Sequence, residues 1–302
     1  RVPPPPARPP APPPLSRPGE GAADPGCTVG RVARHYAPGL IGADDEGLSV
    51  VIRQPSTPQD EAAMWRATLA CPTRSIGTRD RRPTPDGVFP WALDDGVLLC
   101  GHNDRSSFGA HSYLLVRDDG NLLVDSPSWS PSLARSIGAL GGVRHVLLTH
   151  RDDVADADRY ASHFGARVWI HRDDAAAAPY ATDVVDGTDP VDVDRGVRLL
   201  PVPGHTRGSV VFHVDDRLLL TGDSLYLNPA RGHLDVFGGA TWYSWDALTA
   251  SMARLADRAR FEWVLPGHGK WGRGDPDDLH AQLVALAADM GRHDRRSWDR
   301  RP

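Results

Sequence analysis

Four short motifs place a histidine or an aspartate directly after an apolar segment. His150 follows Val-Leu-Leu-Thr, His205 lies in Pro-Gly-His-Thr-Arg-Gly-Ser, Asp223 ends Leu-Leu-Leu-Thr-Gly-Asp, and His268 lies in Val-Leu-Pro-Gly-His-Gly. A neutral imidazole nitrogen binds borderline metals such as zinc, and a carboxylate can bridge two cations. The four motifs therefore predict a metal site assembled from residues that are far apart in the chain.

The elements around these motifs explain how the four side chains could meet. Short apolar segments predict two groups of strands, at 97–100, 113–116, 121–125, 143–149 and 167–170, and then at 197–201, 210–214, 218–221 and 263–265. Helical patterns follow the strands at 131–140, 153–164, 244–259 and 277–290. Two similar halves of this kind predict an α/β (α+β) fold, a layered helix/sheet/sheet/helix sandwich with the metal site at one edge.

Composition limits the class of protein and its partners. The chain has 302 residues, 40% of them hydrophobic, so it can bury a full core and contain more than one domain. Its net charge of -5 argues against a nucleic-acid partner, and no apolar run reaches membrane-spanning length. The cysteines are Cys27, Cys71 and Cys100, which form no disulfide framework and favour a reducing cytoplasm.

The domain boundaries follow shifts in composition. Residues 1–20 are rich in proline and predict a disordered, extended leader, with a docking segment for a proline-recognising partner as the alternative. Residues 21–85 predict a small α+β domain, and prolines then mark a linker. Residues 86–272 contain the metal motifs, and residues 273–302 predict a C-terminal helix and tail.

The motifs resemble those of the metallo-β-lactamase-fold hydrolases. That family's pattern is Thr-His-x-His-x-Asp-His, then Gly-His-Thr-x-Gly-Ser, then Thr-Gly-Asp, then Pro-Gly-His, and the last three occur here intact and in order. The chain is more narrowly similar to a subgroup with a ferredoxin-like domain before the hydrolase domain. The resemblance implies an αββα metallo-β-lactamase sandwich preceded by a small ferredoxin-like α+β domain.

The leading domain departs from the ferredoxin pattern. Such domains ligate a cluster with Cys-x-x-Cys-x-x-Cys and a later Cys-Pro. Here Cys27 and Cys71 remain, whereas Gly30 and Ala33 occupy the other two positions. Two thiolates cannot hold a four-cysteine cluster, so we expect a degenerate domain without iron–sulfur. The alternative requires a ligand from elsewhere, such as His35 or a second chain.

The resemblance also implies the metal ligands: His150, Asp152, Asp156, His205, Asp223 and His268. One ion would take the first two motif histidines and the bridging Asp223, and the second would take Asp156, Asp223 and His268. Ala157 stands where the subgroup has a further histidine, so the second ion is expected to bind more weakly. Zinc is the expected metal, as one or two divalent ions, and the carboxylates leave iron or manganese open.

The remaining polar residues have two interpretations each. Asp152 is a ligand or a helix cap, and a cap is favoured for Asp153. Trp242, Tyr243 and Trp245 are predicted to pack in the core rather than to line a substrate pocket. Arg207 and Tyr243 are nevertheless candidates for substrate contact.

The predicted function is hydrolysis of a small molecule. A bound divalent ion lowers the pKa of its water to about 7, and the resulting hydroxide attacks an ester, thioester or lactone carbonyl. Asp156 and Asp223 are the predicted catalytic residues. Two alternatives stay open: a non-haem iron oxidoreductase on the same fold, and a metal-poor pseudoenzyme or binding module. The sequence indicates neither a membrane partner nor an oligomeric state.

Overall fold

A computed structural model describes residues 21–23, 32–78 and 83–299. It divides into two compact units, with the division between Val88 and Phe89. The proline-rich leader, Cys27 and Gly30 lie outside the described residues. Within the described ranges, no helix is both long and apolar enough to cross a membrane.

The first unit contains two small two-stranded sheets and two helices. Strand β1 (Gly21–Ala23) pairs antiparallel with β4 (Ile76–Thr78), and β2 (Ile41–Ala43) pairs antiparallel with β3 (Ser49–Val51). The helices are α1 (Val32–Tyr36) and α2 (Pro58–Ala70). Helix α2 begins at Thr57 because the Thr57 hydroxyl accepts the Asp60 N–H and proline occupies the first helical position.

The second unit contains a seven-stranded and a six-stranded sheet. The strands of the first are β5 (Trp91–Asp94), β6 (Val97–Leu99), β7 (Tyr113–Leu115), β8 (Leu122–Val124), β9 (His145–Leu147), β10 (Arg167–His171) and β11 (Asp183–Val185). Neighbours follow chain order, antiparallel from β5 to β8 and parallel from β8 to β11. The second sheet contains β12 (Val191–Asp194), β13 (Val197–Pro201), β14 (Val210–Val214), β15 (Leu218–Gly222), β18 (Trp263–Pro266) and β19 (Gly272–Arg273). Its order is β12-β13-β14-β15-β18-β19, and β15 and β18 are parallel.

Between β15 and β18 lies a hairpin, β16 (Tyr226–Asn228) and β17 (His233–Asp235). The helices of this unit are α3 (Pro131–Ala139), α4 (Ala157–Phe164), α5 (Trp245–Arg258), α6 (Pro276–Met290) and α7 (Arg295–Trp298), with a 3-10 helix at Arg172–Ala177.

Burial confirms the predicted layered sandwich. Every residue of β7, β8, β9, β14, β15 and β18 is buried, which is typical of strands covered on both faces. Helices α5 and α6 pack together over the second sheet, where Leu248 and Leu283 share a core with Val211 and Val264. The segment 273–302, which the sequence set apart as a closing helix and tail, also buries Met290 and Trp298 in that core.

Candidate metal centre

Backbone hydrogen bonds between the two sheets bring the motif-bearing strand ends to one edge. The Thr149 carbonyl, after β9 of the first sheet, accepts the Val210 N–H of β14 at 2.8 Å. The Gly267 N–H, after β18, donates to the Gly222 carbonyl of β15 at 2.8 Å, and the Gly267 carbonyl accepts the His111 N–H at 2.7 Å. The turns with Asp223 and His268 are therefore bonded to each other, and the turn with His150 is bonded to the start of β14.

The first group of ligand atoms surrounds a common point. His150 Nε2 lies 3.8 Å from both Asp152 Oδ2 and Asp223 Oδ2. His205 Nε2 lies 3.7 Å from Asp152 Oδ2 and 3.6 Å from Asp223 Oδ2. A tetrahedral ion with bonds of about 2.0–2.2 Å separates its ligand atoms by about 3.3–3.6 Å. The spacing of the four side chains is therefore close to that of a tetrahedral metal site.

Three of these atoms are buried and unbonded. His150 Nε2, His205 Nε2 and Asp152 Oδ2 have no hydrogen-bond partner within the described part of the chain. A buried polar atom without a partner costs about 1–3 kcal/mol. One cation among them would satisfy all three at once, so the donor set fits a metal ion. His150, His205 and Asp223 also form a compact group of potential ligands within 4.8 Å of one another.

Both histidines are oriented through their other ring nitrogen. His150 Nδ1 lies 3.0 Å from the Thr149 hydroxyl, which in turn donates to the Asp125 carboxylate at 2.9 Å. His205 Nδ1 donates to the Ala240 carbonyl at 2.6 Å. A proton fixed on Nδ1 leaves Nε2 as the metal-binding atom, which is the usual arrangement around a metal-ligating histidine.

A buried carboxylate connects the two histidine loops. Asp174, in the 3-10 helix, accepts the Arg151 N–H at 3.1 Å and the Thr206 hydroxyl at 2.5 Å. Arg151 and Thr206 directly follow His150 and His205, so Asp174 holds the two loops in a fixed relation. Gly208 permits this contact, because a Cβ there would lie 2.7 Å from the Asp174 carboxyl carbon.

The second group contains Asp153, Asp223 and His268, also within 4.8 Å of one another. His268 Nδ1 is hydrogen-bonded to Asp223 Oδ1 at 2.7 Å, and Asp223 Oδ2 faces the first group, so Asp223 has one oxygen toward each. Both Asp153 oxygens are buried, with no hydrogen-bond partner among the residues described. Gly267 makes room for them, because a Cβ there would lie 2.6 Å from Asp153 Oδ2.

Burial makes the charged form of two carboxylates in this cluster, Asp153 and Asp125, electrostatically unfavourable. Burial raises the pKa of Asp153 well above its usual range, and the neighbouring Asp223 and Asp125 raise it further. Burial likewise raises the pKa of Asp125 to about 8 and lowers that of His150 to about 4. Burial would also raise the pKa of Asp223, but His268, together with His150 and His205, outweighs it and brings the pKa below its ordinary value. A bound divalent ion would compensate this concentration of acidic groups.

In the second ligand group, the structure has Asp153 in the role that the sequence assigned to Asp156. The Asp156 carboxylate accepts the Trp129 N–H at 2.6 Å, and Asp156 belongs to neither ligand group. The reason lies in the start of α4, which begins at Ala157 and not at the predicted residue 153. The predicted helix cap at Asp153 is wrong, since its carboxylate accepts no hydrogen bond within the described residues. Ala157 is fully buried at the first helical position.

The aromatic and basic candidates lie near the first group. Trp242 and Tyr243 are 47% and 50% exposed, so the core positions predicted for them are wrong, whereas Trp245 packs against the core. The Trp242 ring lies 4.7 Å from the His205 ring, and the Tyr243 N–H donates to the His205 carbonyl. Arg207 forms an exposed ion pair with Asp173 at 3.3 Å.

Sequence reasoning missed Asp125, Asp174 and the Ala240 carbonyl. Asp125 ends the apolar segment Asn-Leu-Leu-Val-Asp just as Asp223 ends its own strand, a signal that could have drawn attention to it. Asp174 lies in an alanine-rich segment with no such signal, and a backbone carbonyl leaves none in any sequence.

Comparison with known proteins agrees with this geometry. Residues 99–286 match the family model described as "Metallo-beta-lactamase superfamily", and residues 24–78 match "4Fe-4S single cluster domain of Ferredoxin I". In the second of these segments Cys71 is a free, buried thiol and Ala33 is buried in α1.

Relatives and solved structures point the same way. The chain is 31% identical over 193 residues to a hydroxyacylglutathione hydrolase of Acidiphilium cryptum, covering 60% of this chain and 75% of the relative. A hydroxyacylglutathione hydrolase of Rhizobium etli is 30% identical, with 69% and 80% covered. The DIM-1 metallo-beta-lactamase exposed to ceftazidime superposes with a TM-score of 0.51 at 17% identity, over 66% of this chain and 95% of that one, which indicates a shared fold. The chain belongs to the metallo-beta-lactamase superfamily.

Proposed function

We propose that the second unit is a metal-dependent hydrolase that cleaves an ester or thioester bond of a small molecule. The observation that carries the proposal is the set of buried, unbonded ligand atoms at near-tetrahedral spacing: His150 Nε2, His205 Nε2 and Asp152 Oδ2, with Asp223 Oδ2. Superfamily membership and the hydrolase relatives support the same class of reaction.

One or two divalent ions are the proposed cofactors. The first would be held by His150, His205, Asp223 and Asp152, and zinc is favoured because two imidazoles and near-tetrahedral spacing suit it. The second would be held by Asp153, Asp223 and His268. Such an ion supplies a Lewis acid for a carbonyl oxygen and lowers the pKa of a bound water.

The residues of the chain would orient and shield the reaction. Asp223 presents one oxygen to each ligand group and so fixes the spacing between them. Among the first group, the Asp152 side chain is the most exposed, at 24%, so solvent reaches the group on that side. The exposed Trp242 and Tyr243 lie beside His205 and would cover the substrate on that side.

The substrate class is inferred from the relatives. Hydroxyacylglutathione hydrolases are named for cleavage of an acyl group from glutathione, whose acyl derivatives are thioesters. We therefore propose a small-molecule thioester or ester as substrate, and the net charge of -5 favours no nucleic-acid partner. We propose no membrane partner either. The free, buried thiols of Cys71 and Cys100 favour a reducing compartment such as the cytoplasm.

A non-haem iron oxidoreductase is the second candidate. Three of the six ligands brought together are carboxylates, Asp152, Asp153 and Asp223, and oxygen donors favour harder ions than an all-histidine set does. Two irons with oxygen-sensitive spectra, and no turnover of thioesters, would establish this function instead.

The test is elemental analysis of protein purified without chelators, combined with hydrolysis of p-nitrophenyl acetate and of an acyl-glutathione thioester. The compared variants are His205→Ala and, as a control, His280→Ala on α6, which lies outside both ligand groups. We expect His205→Ala to lose metal and hydrolysis and His280→Ala to retain both. Equal metal in the two variants would remove His205 from the centre and overturn the proposal.

A further inference from the structure

We infer that Arg295 and Trp298, on the last described helix, are positioning residues for His205. This inference rests on the proposed function, in which His205 is a metal ligand. It concerns a segment beyond the region that matches the superfamily, which ends at residue 286.

His205 is positioned by contacts with the loop segment 240–243. No strand contains this residue; it lies in a loop between β13 and β14. Its Nδ1 donates to the Ala240 carbonyl at 2.6 Å, and its own carbonyl accepts the N–H groups of Trp242 and Tyr243, both at 3.1 Å. The Trp242 ring contacts the imidazole at 4.7 Å between ring centroids. The segment 240–243 therefore determines where the His205 ring lies and which nitrogen is free.

The segment 240–243 is itself held by residues of helix α7. It follows Gly238 and Gly239, which have no side chains with which to anchor it. Arg295 supplies the anchor, because its Nε donates to the Gly238 carbonyl at 2.8 Å and its Nη2 donates to the Gly239 carbonyl at 2.7 Å. Trp298 adds a third bond, from Nε1 to the Val236 carbonyl at 3.2 Å. The two glycine carbonyls immediately precede Ala240 in the chain.

Helix α7 is itself firmly held by its cap and by packing. Its start is fixed by a capping box, in which Asp294 and Ser297 exchange side-chain and backbone hydrogen bonds. Trp298 is 2% exposed and packs against Trp245 at 5.1 Å. The Trp245 Nε1 donates in turn to the His293 carbonyl at 2.8 Å. Helix α7 is thus packed into the core through the contact of Trp298 with Trp245. The hydrogen bonds from Arg295 and Trp298 therefore hold the loop before Ala240 in a fixed position.

The chain of contacts has a defined consequence. A guanidinium that donates two parallel bonds fixes both distance and direction, which a single flexible donor does not. Without Arg295, the Gly238 and Gly239 carbonyls would lose their side-chain donors, and the Ala240 carbonyl would be held less firmly against His205 Nδ1. The imidazole would then lose its fixed tautomer and orientation, and loss of such an outer partner weakens metal binding by about tenfold to a hundredfold.

The experiment compares Arg295→Ala with Arg292→Ala in the full-length protein. Arg292 is a matched control, because it lies in the same terminal region and its side chain forms an exposed ion pair with Asp289. Cobalt(II) is the probe, since its visible absorption reports ligand geometry and its titration reports affinity. We expect Arg295→Ala to bind cobalt about tenfold more weakly with shifted bands, and Arg292→Ala to match the wild type. Arg295→Lys, which retains one donor, should be intermediate.

A second measurement separates this inference from the proposed function. Long-range proton–nitrogen NMR of the metal-free protein reports which imidazole nitrogen of His205 is protonated, with His205→Ala for assignment. We expect Nδ1 protonation in the wild type and Arg292→Ala, and a mixture of tautomers in Arg295→Ala. If the wild-type protein bound no metal, that result would contradict the proposed function but not this inference. The tautomer comparison would then still decide whether Arg295 positions His205. Identical tautomers and identical cobalt spectra in the two arginine variants would overturn the inference.

Discussion

The two ligand groups share Asp223 but differ in how far each is prepared for an ion. In the first group the atoms of His150, His205 and Asp152 are buried and unbonded and lie 3.6–3.8 Å from their neighbours across the gap. In the second group His268 is already bonded to Asp223 at 2.7 Å, closer than two ligands of one ion normally approach. To bind an ion, the ligand atoms of the first group need to move together by only a small distance. In the second group, His268 and Asp223 must instead move apart.

The supporting contacts differ in the same direction. His150 and His205 are each oriented by a hydrogen bond from Nδ1, and Asp174 connects their loops. The other ring nitrogen of His268 lies 3.4 Å from the Phe108 carbonyl, a longer contact, and the side chain is 25% exposed. We expect the first group to bind an ion more tightly, because metal affinity depends on the hydrogen bonds that orient the ligands as much as on the ligands themselves.

The largest effect is expected from Asp223→Asn. Asp223 is the residue common to both groups, and an amide places a neutral donor where each ion needs an anionic oxygen. Metal content should fall to below one ion per chain, and hydrolysis should fall by more than about a hundredfold. Asp235→Asn, a buried aspartate of β17 outside both groups, is the control. If Asp223→Asn retained the metal content of that control, the two groups would not share a ligand.

Asp153→Asn is expected to affect the second group alone. Its oxygens belong to the group with His268, and Asp153 Oδ1 lies 4.0 Å from His150 Nε2, farther than the 3.6–3.8 Å between the histidines and aspartates of the first group. The variant should lose the weaker ion and keep the tighter one, so that two ions per chain become one by elemental analysis. Loss of both ions would show that the groups bind cooperatively rather than as a tight and a weak site.

The sequence predicted the first group far better than the second. His150, His205 and Asp223 each end or follow an apolar strand, and strand ends are visible in hydrophobic patterns. The second group depended on where α4 begins, and both Asp153 and Asp156 are good residues for a helix start. Local chemistry does not choose between two such caps, so the sequence assigned Asp156 to the site, whereas the structure brings Asp153 into the second ligand group.

The same limit applies to contacts that are not local. The helix/sheet/sheet/helix fold followed from alternating strand and helix patterns, and it is confirmed. Trp242 and Tyr243 precede an amphipathic helix, and their large side chains favoured a core position. Their exposure depends on the bonds that wrap them around His205, and those bonds involve backbone atoms distant in the chain.

A smaller effect is expected from Thr206→Val, which tests the connection between the histidine loops. Valine retains the shape of threonine but removes the hydroxyl that donates to Asp174. The tighter ion should bind several-fold more weakly, by analogy with other outer-sphere contacts that cost about tenfold, while the number of ions stays the same. Thr182→Val removes a comparable hydroxyl–aspartate bond, to Asp183, away from both groups. Equal cobalt affinity in the two valine variants would show that the connection through Asp174 does not support the site.

The smallest effect is expected from Asp156→Asn, and it is the sharpest test between the two assignments. The Asp156 carboxylate accepts the Trp129 N–H, and the amide oxygen of asparagine can accept the same bond. Unfolding stability should therefore fall by less than about 1 kcal/mol, and elemental analysis should give the wild-type number of ions. Under the assignment that the sequence favoured, Asp156→Asn would empty the second group and Asp153→Asn would leave it filled. The two variants change the same chemical group three positions apart, so metal content alone decides which carboxylate belongs to the centre.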